Sequence, residues 1–351
     1  MSAEPIWTRT LTDGGQQPME IARDLTAFVD LAQRTLDLAL YDVRLPSPTG
    51  DVVAGSLRAA AARGVNVRIA FNESHERAVP VPPPPRTEPD LLRALGVPTK
   101  PIPGEPDLMH HKYMVRDGES VWTGSTNWTL DSWSREENVI VTVDSPGVAA
   151  AYARDFSQLW NGAKVAGTGA FDAVPAMAGR TPIRAWFCPG RGDALAHRIA
   201  KAIGRARRRV RIASPVLTSG PILGTLAQVT ADRRMDLGGV LDGTQIEEVY
   251  AQWTDNPRSR WKLGLLGAVL GEGRFTAKRS TPYRPGSVHD YMHAKVTVAD
   301  DVVMVGSFNL SHSGELNAEN VLEIADPTLA EEMARFIDSV RERYPPAPLP
   351  S

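Results

Sequence analysis

The chain has 351 residues, and its 39 basic and 41 acidic side chains leave a formal net charge of −2. This balance excludes a global basic field that would hold nucleic acid without sequence preference, although a local basic cleft stays open. The length suffices for two domains with separate cores. The single cysteine, Cys188, excludes an internal disulfide, and we expect it to be a buried small hydrophobic residue.

The start of the sequence lacks the basic segment and apolar run that form a secretory signal. No stretch approaches the roughly 20 apolar residues that a membrane-spanning helix requires. We therefore expect a cytoplasmic protein without a transmembrane segment.

Helical and strand-like patterns alternate along the first half of the chain. A segment with four consecutive prolines, 79–85, interrupts them and predicts a surface loop, which is either inert or close to a functional site. The predicted elements are, in order, a helix at 21–36, a strand at 36–43, a helix near 52–62, a strand at 65–71, strands at 112–116 and 120–122, and an amphipathic helix near 148–160.

The second half repeats this order, which argues for α/β layers around a parallel or mixed sheet in each half. Its predicted elements are a helix at 194–206, a strand at 209–216, a helix at 221–231, strands at 296–299 and 302–305, and a helix at 329–340. We predict a first domain at 1–160, a linker rich in Gly and Ala at 161–181, a second domain at 182–343 and a disordered tail at 344–351.

One motif occurs once in each half, with corresponding positions 182 or 183 residues apart. Both copies read H-x-K-x4-D, then G-S-x-N, then E-N. A repeat of about half the chain length predicts two similar domains, and reactive residues that arrive in pairs predict one composite site between them. The copies comprise His110, Lys112, Asp117, Ser125, Asn127 and Glu137, and His293, Lys295, Asp300, Ser307, Asn309 and Glu319.

The residues of this motif suit phosphoryl transfer. Side chains two apart in a strand share a face, so each motif histidine lies beside its lysine, whereas His111 points into the opposite layer. One imidazole can attack phosphorus while the other protonates the leaving oxygen and then activates water. Lysines and asparagines can stabilise the phosphoryl oxygens. Glu137 and Glu319 can each fix the tautomer of a histidine.

The paired motif resembles that of the phospholipase D superfamily, the two-motif HKD phosphodiesterases, over nearly the whole chain. The resemblance implies an α/β fold of two phospholipase D-like domains, each a mixed β-sheet flanked by helices, related by a pseudo-two-fold axis. It implies a metal-independent phosphodiesterase without a cofactor, with a phosphohistidine on His110 and with His293 as acid and base, although the symmetry permits the reverse. By the same resemblance, Asp117 and Asp300 hold hairpin turns away from the phosphate.

The predicted site therefore has a catalytic set and a supporting set. Ser125 and Ser307 are expected to contact the phosphate or a glutamate, and no residue is assigned to a metal. His289 is expected to lie on the surface. Because both motifs are in one chain, we expect a monomer. The predicted catalytic residues are His110, Lys112, Asn127, Glu137, His293, Lys295, Asn309 and Glu319.

The motif leaves the substrate open. A phospholipid head group, hydrolysed or transferred to an alcohol, is favoured by the weak net charge. An endonuclease acting on DNA or RNA would need the basic runs at 205–209 and 258–262 as phosphate contacts, but the first run fits a solvated helix end better. Trp122, Trp128 and Trp133 could pack in a core or stack on a substrate. A catalytically silent binding module is the third reading, and two intact motifs argue against it.

Overall fold

A computed structural model describes residues 4–73, 92–232, 235–282 and 287–350. The proline-rich segment 79–85 lies outside the described residues. Two large β-sheets with helices packed against them account for most of the described chain, one sheet in each half. The α/β class predicted from the sequence is therefore confirmed.

The first half contains a seven-stranded sheet in the order β1-β9-β7-β6-β2-β4-β5 and a small β3-β8 ribbon. Its first helix begins at a proline and ends at Asp30, earlier than predicted, because the apolar pattern near Leu36 belongs to the following strand. The elements are β1 (Ile6–Leu11), α1 (Pro18–Asp30), β2 (Thr35–Leu40), β3 (Val43–Arg44), α2 (Thr49–Ala62), β4 (Asn66–Glu73), β5 (Thr99–Pro103), β6 (Lys112–Arg116), β7 (Ser120–Gly124), β8 (Trp128–Thr129), α3 (Leu130–Ser134), β9 (Asn138–Asp144) and α4 (Pro146–Gly162).

The second half contains an eight-stranded sheet in the order β10-β11-β17-β16-β15-β12-β13-β14. Its first strand falls within the segment 161–181 that the sequence predicted as a linker. The elements are β10 (Ala176–Ala178), β11 (Thr181–Phe187), α5 (Gly192–Arg205), β12 (Arg209–Ala213), α6 (Gly220–Ala231), β13 (Asp236–Asp242), α7 (Gly243–Asp255), α8 (Lys262–Glu272), β14 (Arg274–Lys278), β15 (Val296–Ala299), β16 (Val302–Gly306), α9 (His312–Leu316), β17 (Asn320–Ala325) and α10 (Pro327–Arg341).

The two sheets have the same plan. In the first, β2, β4 and β5 are parallel, and the remaining neighbours are antiparallel. In the second, β12, β13 and β14 are parallel, and the rest are again antiparallel. Each motif lysine begins or immediately precedes the first strand of a central hairpin, β6–β7 or β15–β16. The duplicated sequence thus produces two mixed sheets that present equivalent hairpins.

The central core joins the two halves. Helices α4 and α10 lie between the sheets, and α4 contacts strands of both. Their apolar residues, including Phe156 and Ile337, form one cluster with side chains from both sheets, such as Val141 and Leu322. Separate outer cores lie under the helices on the far face of each sheet. Because the halves share one buried apolar core, the hairpins that carry the motifs are fixed relative to each other.

Asp117 and Asp300 occupy the turns of the two hairpins. Both have left-handed backbone conformations, with φ of 56° and 51°. The carboxylate of Asp117 accepts hydrogen bonds from the backbone N–H groups of residues 33–35, and that of Asp300 does the same for residues 207–209. Each aspartate therefore fastens its hairpin to the start of the neighbouring strand, β2 or β12.

The C-terminal segment is ordered against the second sheet, so the prediction of a disordered tail is wrong for residues 344–350. The backbone N–H groups of Ala277 and Ala347 bond to the carbonyls of Pro345 and Phe275, and the Tyr250 hydroxyl donates to Pro348 O. Prolines lack an N–H donor, but a segment that pairs along only one edge tolerates them. A proline-rich sequence is therefore compatible with pairing along a sheet edge as well as with disorder.

We predict that Asp117→Asn lowers the free energy of unfolding by about 1–2 kcal/mol. The substitution replaces a charged carboxylate by a neutral amide and so weakens the hydrogen bonds from three backbone N–H groups. Partial burial alone would raise the pKa of Asp117, but the N–H groups of Thr35, Arg34 and Gln33 lower it below its usual range. The difference in unfolding free energy between variant and wild type is therefore largest above about pH 4, and it shrinks as the pH falls through the lowered pKa of Asp117.

Urea unfolding at pH 7 and at acidic pH measures this difference. Asp255→Asn, on an exposed aspartate at the end of α7, is the matched control and is expected to have little effect. An Asp117→Asn variant as stable as the control would contradict the proposed anchoring.

Candidate active site

The two motifs meet because each half holds the histidine-bearing segment of the other. His110 N donates to Ala318 O over 2.9 Å, and His293 N donates to Glu137 O over 3.1 Å. Parallel bridges join Met109 to Ala318 and Met292 to Glu137 at the same two places. The exchange is reciprocal, as a pseudo-two-fold relation requires. Both imidazoles therefore lie in one site at the interface of the halves.

His110 contacts a carboxylate of the second half. Its Nδ1 lies 2.8 Å from Glu319 Oε1, and both side chains are buried. The other carboxylate oxygen accepts a hydrogen bond from Ser307 Oγ over 2.5 Å. With Glu319 ionised, the imidazole proton is held on Nδ1 and the lone pair of Nε2 is free. The opposite face of the ring packs edge-on against Tyr41, with 4.4 Å between ring centroids.

His293 has a different partner. Its Nδ1 lies 3.2 Å from Asn138 Oδ1 and 3.3 Å from Glu136 Oε2. The amide nitrogen of Asn138 donates to Glu136 and to Ser132, so the amide oxygen is the atom that faces the imidazole. An amide oxygen holds the proton on Nδ1, as a carboxylate does, but stabilises an imidazolium less. The two histidines are thus in similar orientations and unequal electrostatic surroundings.

The two motif lysines occupy matching positions. Lys112 Nζ donates to His110 O, and Lys295 Nζ donates to His293 O, each over 2.6 Å. The ammonium of Lys112 also lies 4.6 Å from the centre of the Tyr41 ring. Burial, with smaller contributions from the neighbouring lysine charges, lowers the pKa values of His110 and His293 well below their usual range. Both imidazoles are therefore neutral at rest. Each lysine charge acts on both imidazoles, so an anion bound beside the imidazoles would be attracted by both lysines.

Burial brings the pKa values of three further groups of the site, two carboxyls and one ammonium, close to one another. It raises the pKa of Glu319 to about 8, against the opposing charge of Lys112, and that of Glu136 to about 7. It lowers the pKa of Lys112 to about 7. Acidic and basic groups with similar pKa values exchange protons at small cost, which is typical of sites that perform acid–base chemistry.

The motif asparagines and serines have buried side-chain oxygens. The side-chain oxygens of Asn127 and Asn309 are buried and accept no hydrogen bond from the described residues. Ser125 Oγ donates to Asn138 Oδ1 over 2.6 Å, which matches the bond from Ser307 to Glu319. The serines therefore contact the groups that orient the histidines. The asparagine oxygens, which have no donor among the described residues, are available to a ligand.

Glu137 is not placed as predicted. It is buried beside Lys278, with 3.0 Å between Oε2 and Nζ, and it accepts a hydrogen bond from the Tyr344 hydroxyl. These contacts join the first half to β14 and to the C-terminal segment. The prediction that Glu137 orients an imidazole is wrong, and the neighbouring Glu136 and Asn138 hold that position.

A one-residue difference between the repeats explains this error. Gly124 pairs with Ile140, whereas Gly306 pairs with Val321, so the separation changes from 182 to 181 residues between one strand and the next. Asn138 is therefore the structural counterpart of Glu319. The dipeptide Glu-Asn occurs in both copies, and its identity conceals the shift.

Several residues outside the catalytic set have contacts of their own. His111 points into the opposite layer, as expected, with Nε2 3.0 Å from Asp155 Oδ2, and Cys188 is buried. His289, expected on the surface, is half-buried and stacks on Tyr291. The three tryptophans belong to the outer core of the first half. In the basic run 205–209, the described ion pairs bind Arg208 to Asp301 and Arg209 to Glu331, which leaves less charge for nucleic acid.

The sequence reasoning missed Tyr41, Glu136 and the role of Asn138. A one-residue gap in the alignment of the repeats identifies Asn138 as the counterpart of Glu319, with Glu136 two residues before it. In the structure, the serine that follows the neighbouring strand bonds to this position in both halves. Tyr41 follows β2 directly and carries no repeat signal, so only the fold reveals that it packs against His110. Across residues 4–73, 92–232, 235–282 and 287–350, no cluster of three potential metal ligands is present.

A family model described as "Cardiolipin synthase, PLD-like domain" matches residues 25–160 and again 199–341. The chain belongs to this family of phospholipase D-like proteins. The phosphatidylserine synthase of Haemophilus influenzae Rd KW20 has a similar structure, with a TM-score of 0.65, 11% identity and coverage of 97% of this chain and 86% of that one. At this identity the likeness confirms the fold, two phospholipase D-like domains, and nothing further.

Two curated relatives are mitochondrial cardiolipin hydrolases. That of Xenopus laevis is 33% identical over 130 residues, which cover 37% of this chain and 56% of the relative. That of Chlamydomonas reinhardtii is 24% identical over 146 residues, or 41% of this chain and 59% of the relative. The chain thus spans little more than half the length of the curated relatives it matches.

These relatives contradict the cytoplasmic location expected above, because their names place them in mitochondria. The earlier expectation rested on the lack of a recognisable signal, which is weak support for any location. Separately, no helix in the described part of the chain has the length and hydropathy to cross a membrane.

We predict that Glu319→Gln lowers kcat by about 10²–10⁴-fold with little loss of stability, because the amide keeps the shape but not the charge and tautomer control. Glu137→Gln should instead lower the free energy of unfolding by about 1–3 kcal/mol, because the buried Lys278 loses its buried carboxylate partner and keeps only the more exposed Asp13. Kinetics and urea unfolding of both variants separate the two roles. A larger kinetic loss in folded Glu137→Gln than in Glu319→Gln would contradict the corrected assignment.

Proposed function

We propose that this protein is a phosphodiesterase of the phospholipase D type that hydrolyses, or transfers to an alcohol, the head group of a phospholipid. The observation that carries the proposal is the pair of oriented imidazoles flanked by two buried lysines across one interface. The curated relatives, whose names describe hydrolysis of the phospholipid cardiolipin, support a lipid substrate. No comparison favours a nuclease or a silent binding module.

In the first step, Nε2 of His110 attacks phosphorus and the bond to the leaving oxygen breaks. His293, protonated when substrate binds, gives its proton to that oxygen, so the head group leaves as a neutral alcohol. The product is a phosphohistidine on His110. We assign the nucleophile to His110 because Glu319 lies directly on its Nδ1 and stabilises the positive charge that the ring gains on attack.

In the second step, the now neutral His293 takes a proton from water or from an acceptor alcohol. The resulting oxygen nucleophile attacks phosphorus and breaks the bond to His110, which returns to its starting form. Lys112, Lys295, Asn127 and Asn309 stabilise the charge that accumulates on the phosphoryl oxygens in both transition states. These groups supply the electrostatic stabilisation that a divalent cation provides in many phosphodiesterases.

We predict that the full-length protein releases head groups from phospholipid vesicles in the presence of EDTA, because lysines and asparagines supply the charge that the reaction needs. The assay compares phosphatidylcholine and cardiolipin vesicles with single-stranded DNA and RNA. His110→Ala should abolish turnover, while His197→Ala, on an exposed histidine of α5, is the matched control and should not. Cleavage of nucleic acid without any lipid turnover would contradict the lipid assignment, and loss of activity in EDTA would contradict the metal-free chemistry.

A further inference from the structure

Tyr291 lies two residues before His293 in an extended segment that bridges to Glu137 through Met292. Side chains two apart in an extended chain project to the same side, so Tyr291 lies next to His293 along the wall of the site. The residue is 7% exposed, and the His289 ring stacks on it with 5.5 Å between centroids. Among the described residues, no group forms a hydrogen bond with its buried hydroxyl.

An unpaired buried hydroxyl is costly, by about 1–3 kcal/mol, and is uncommon in folded proteins. Other buried tyrosines of this chain are paired. The Tyr113 hydroxyl donates to Asp155 over 2.8 Å, and the Tyr152 hydroxyl donates to Asn320 over 2.9 Å. Tyr291 is therefore an exception within the same molecule, and phenylalanine would fill its position without that cost.

The charged groups near Tyr291 are carboxylates, and one of them also lies beside His293. Burial raises its pKa first, and the carboxylates of Glu136, Asp242, Glu248 and Asp290 raise it further. The hydroxyl consequently keeps its proton and can act only as a neutral hydrogen-bond partner. Glu136 also lies 3.3 Å from Nδ1 of His293, so Tyr291 and the acid–base histidine of the proposed mechanism share one charged neighbour.

The equivalent position of the first repeat carries no hydroxyl. The repeat offset of 183 that relates His293 to His110 relates Tyr291 to Leu108. The wall beside the nucleophile therefore has an apolar residue where the wall beside the acid–base histidine has a polar one. At this position of the repeat a hydroxyl is therefore present beside the acid–base histidine and absent beside the nucleophile. The tyrosine beside His110, Tyr41, comes from a different element and packs edge-on against the ring.

We propose that the Tyr291 hydroxyl donates a hydrogen bond to the oxygen that leaves with the head group and, in the second step, to the oxygen that replaces it. This proposal rests on the proposed function, in which His293 is the acid and base. The tyrosine keeps its proton throughout, since His293 supplies the proton of the new alcohol. The hydrogen bond stabilises negative charge on the leaving oxygen before that proton arrives.

Tyr291→Phe tests this assignment with two substrates that differ in the leaving group. Phosphatidylcholine has an alkyl leaving group that needs stabilisation, whereas bis(para-nitrophenyl) phosphate has one that does not. We expect kcat/KM for phosphatidylcholine to fall about 10–100-fold, and that for the nitrophenyl ester to fall less than about threefold. Stability should be unchanged or higher, because the variant removes an unpaired buried hydroxyl.

The matched control is Tyr113→Phe, which removes a paired hydroxyl outside the site. It should lower stability and show no selectivity between the two leaving groups. An equal loss on both substrates in Tyr291→Phe, or no loss on either, would overturn the proposal.

The proposed function can fail separately. If wild-type protein leaves phosphatidylcholine intact but cleaves a dinucleotide, the lipid substrate is wrong, and the dinucleotide then serves as the alkyl ester that tests Tyr291. A wild-type protein that cleaves no alkyl diester overturns both proposals.

Discussion

The site depends on one reciprocal contact, in which each half of the chain completes the histidine of the other. His110 bonds through its backbone to Ala318, and its ring nitrogen lies 2.8 Å from the carboxylate of Glu319. His293 bonds through its backbone to Glu137 and through its ring to Asn138. Neither half alone has an oriented imidazole. The shared apolar core around α4 and α10 holds these contacts in register, since any sliding of one sheet against the other would separate both rings from their partners.

Burial at this interface is the main cause of the shifted pKa values in the site. Removing carboxylates and ammonium groups from water disfavours their charged forms, so the pKa values of Glu319, Glu136 and Lys112 converge to about 7 or 8 instead of spanning the usual range from about 4 to 10. The same burial lowers the pKa values of both imidazoles and of Lys295 well below their usual ranges. A phosphodiester anion between the two lysines would relieve their mutual repulsion. Substrate binding and proton positions are therefore coupled, and the protonation of His293 that the mechanism needs is favoured when the anion is present.

The one-residue register change makes two equivalent positions unequal. Glu319 on one side and Asn138 on the other give the imidazoles the same tautomer with different charge neighbours. A symmetric duplication could use either histidine as nucleophile, whereas this chain has a carboxylate on His110 and an amide, with a more distant carboxylate, on His293. The equivalent positions Tyr291 and Leu108, one polar and one apolar, add to the asymmetry. The chemistry is divided between the halves by a few substitutions on a common plan.

Much of this arrangement follows from the sequence. Helix and strand periodicities locate the elements because each buries one face, and the doubled motif requires one composite site. Glu137 shows where prediction from the sequence fails. The Glu-Asn dipeptide is identical in the two copies, but the strands that carry it are offset by one residue. Tyr41 shows another, since it approaches His110 only through the pairing of β2 with β6. The segment after Tyr344 is a third case, because proline content does not distinguish a free tail from a segment that pairs along a sheet edge.

The most direct test of the central claim is to trap the covalent intermediate and locate it. His293→Ala protein, mixed with a nitrophenyl phosphodiester and digested at neutral pH to preserve phosphohistidine, is mapped by mass spectrometry. We expect one adduct, on His110, that accumulates because water activation is missing, and that forms about 10²–10⁴-fold more slowly when Glu319→Gln is combined with His293→Ala. A phosphoryl group on any other residue, or rapid turnover without an adduct, would contradict this expectation.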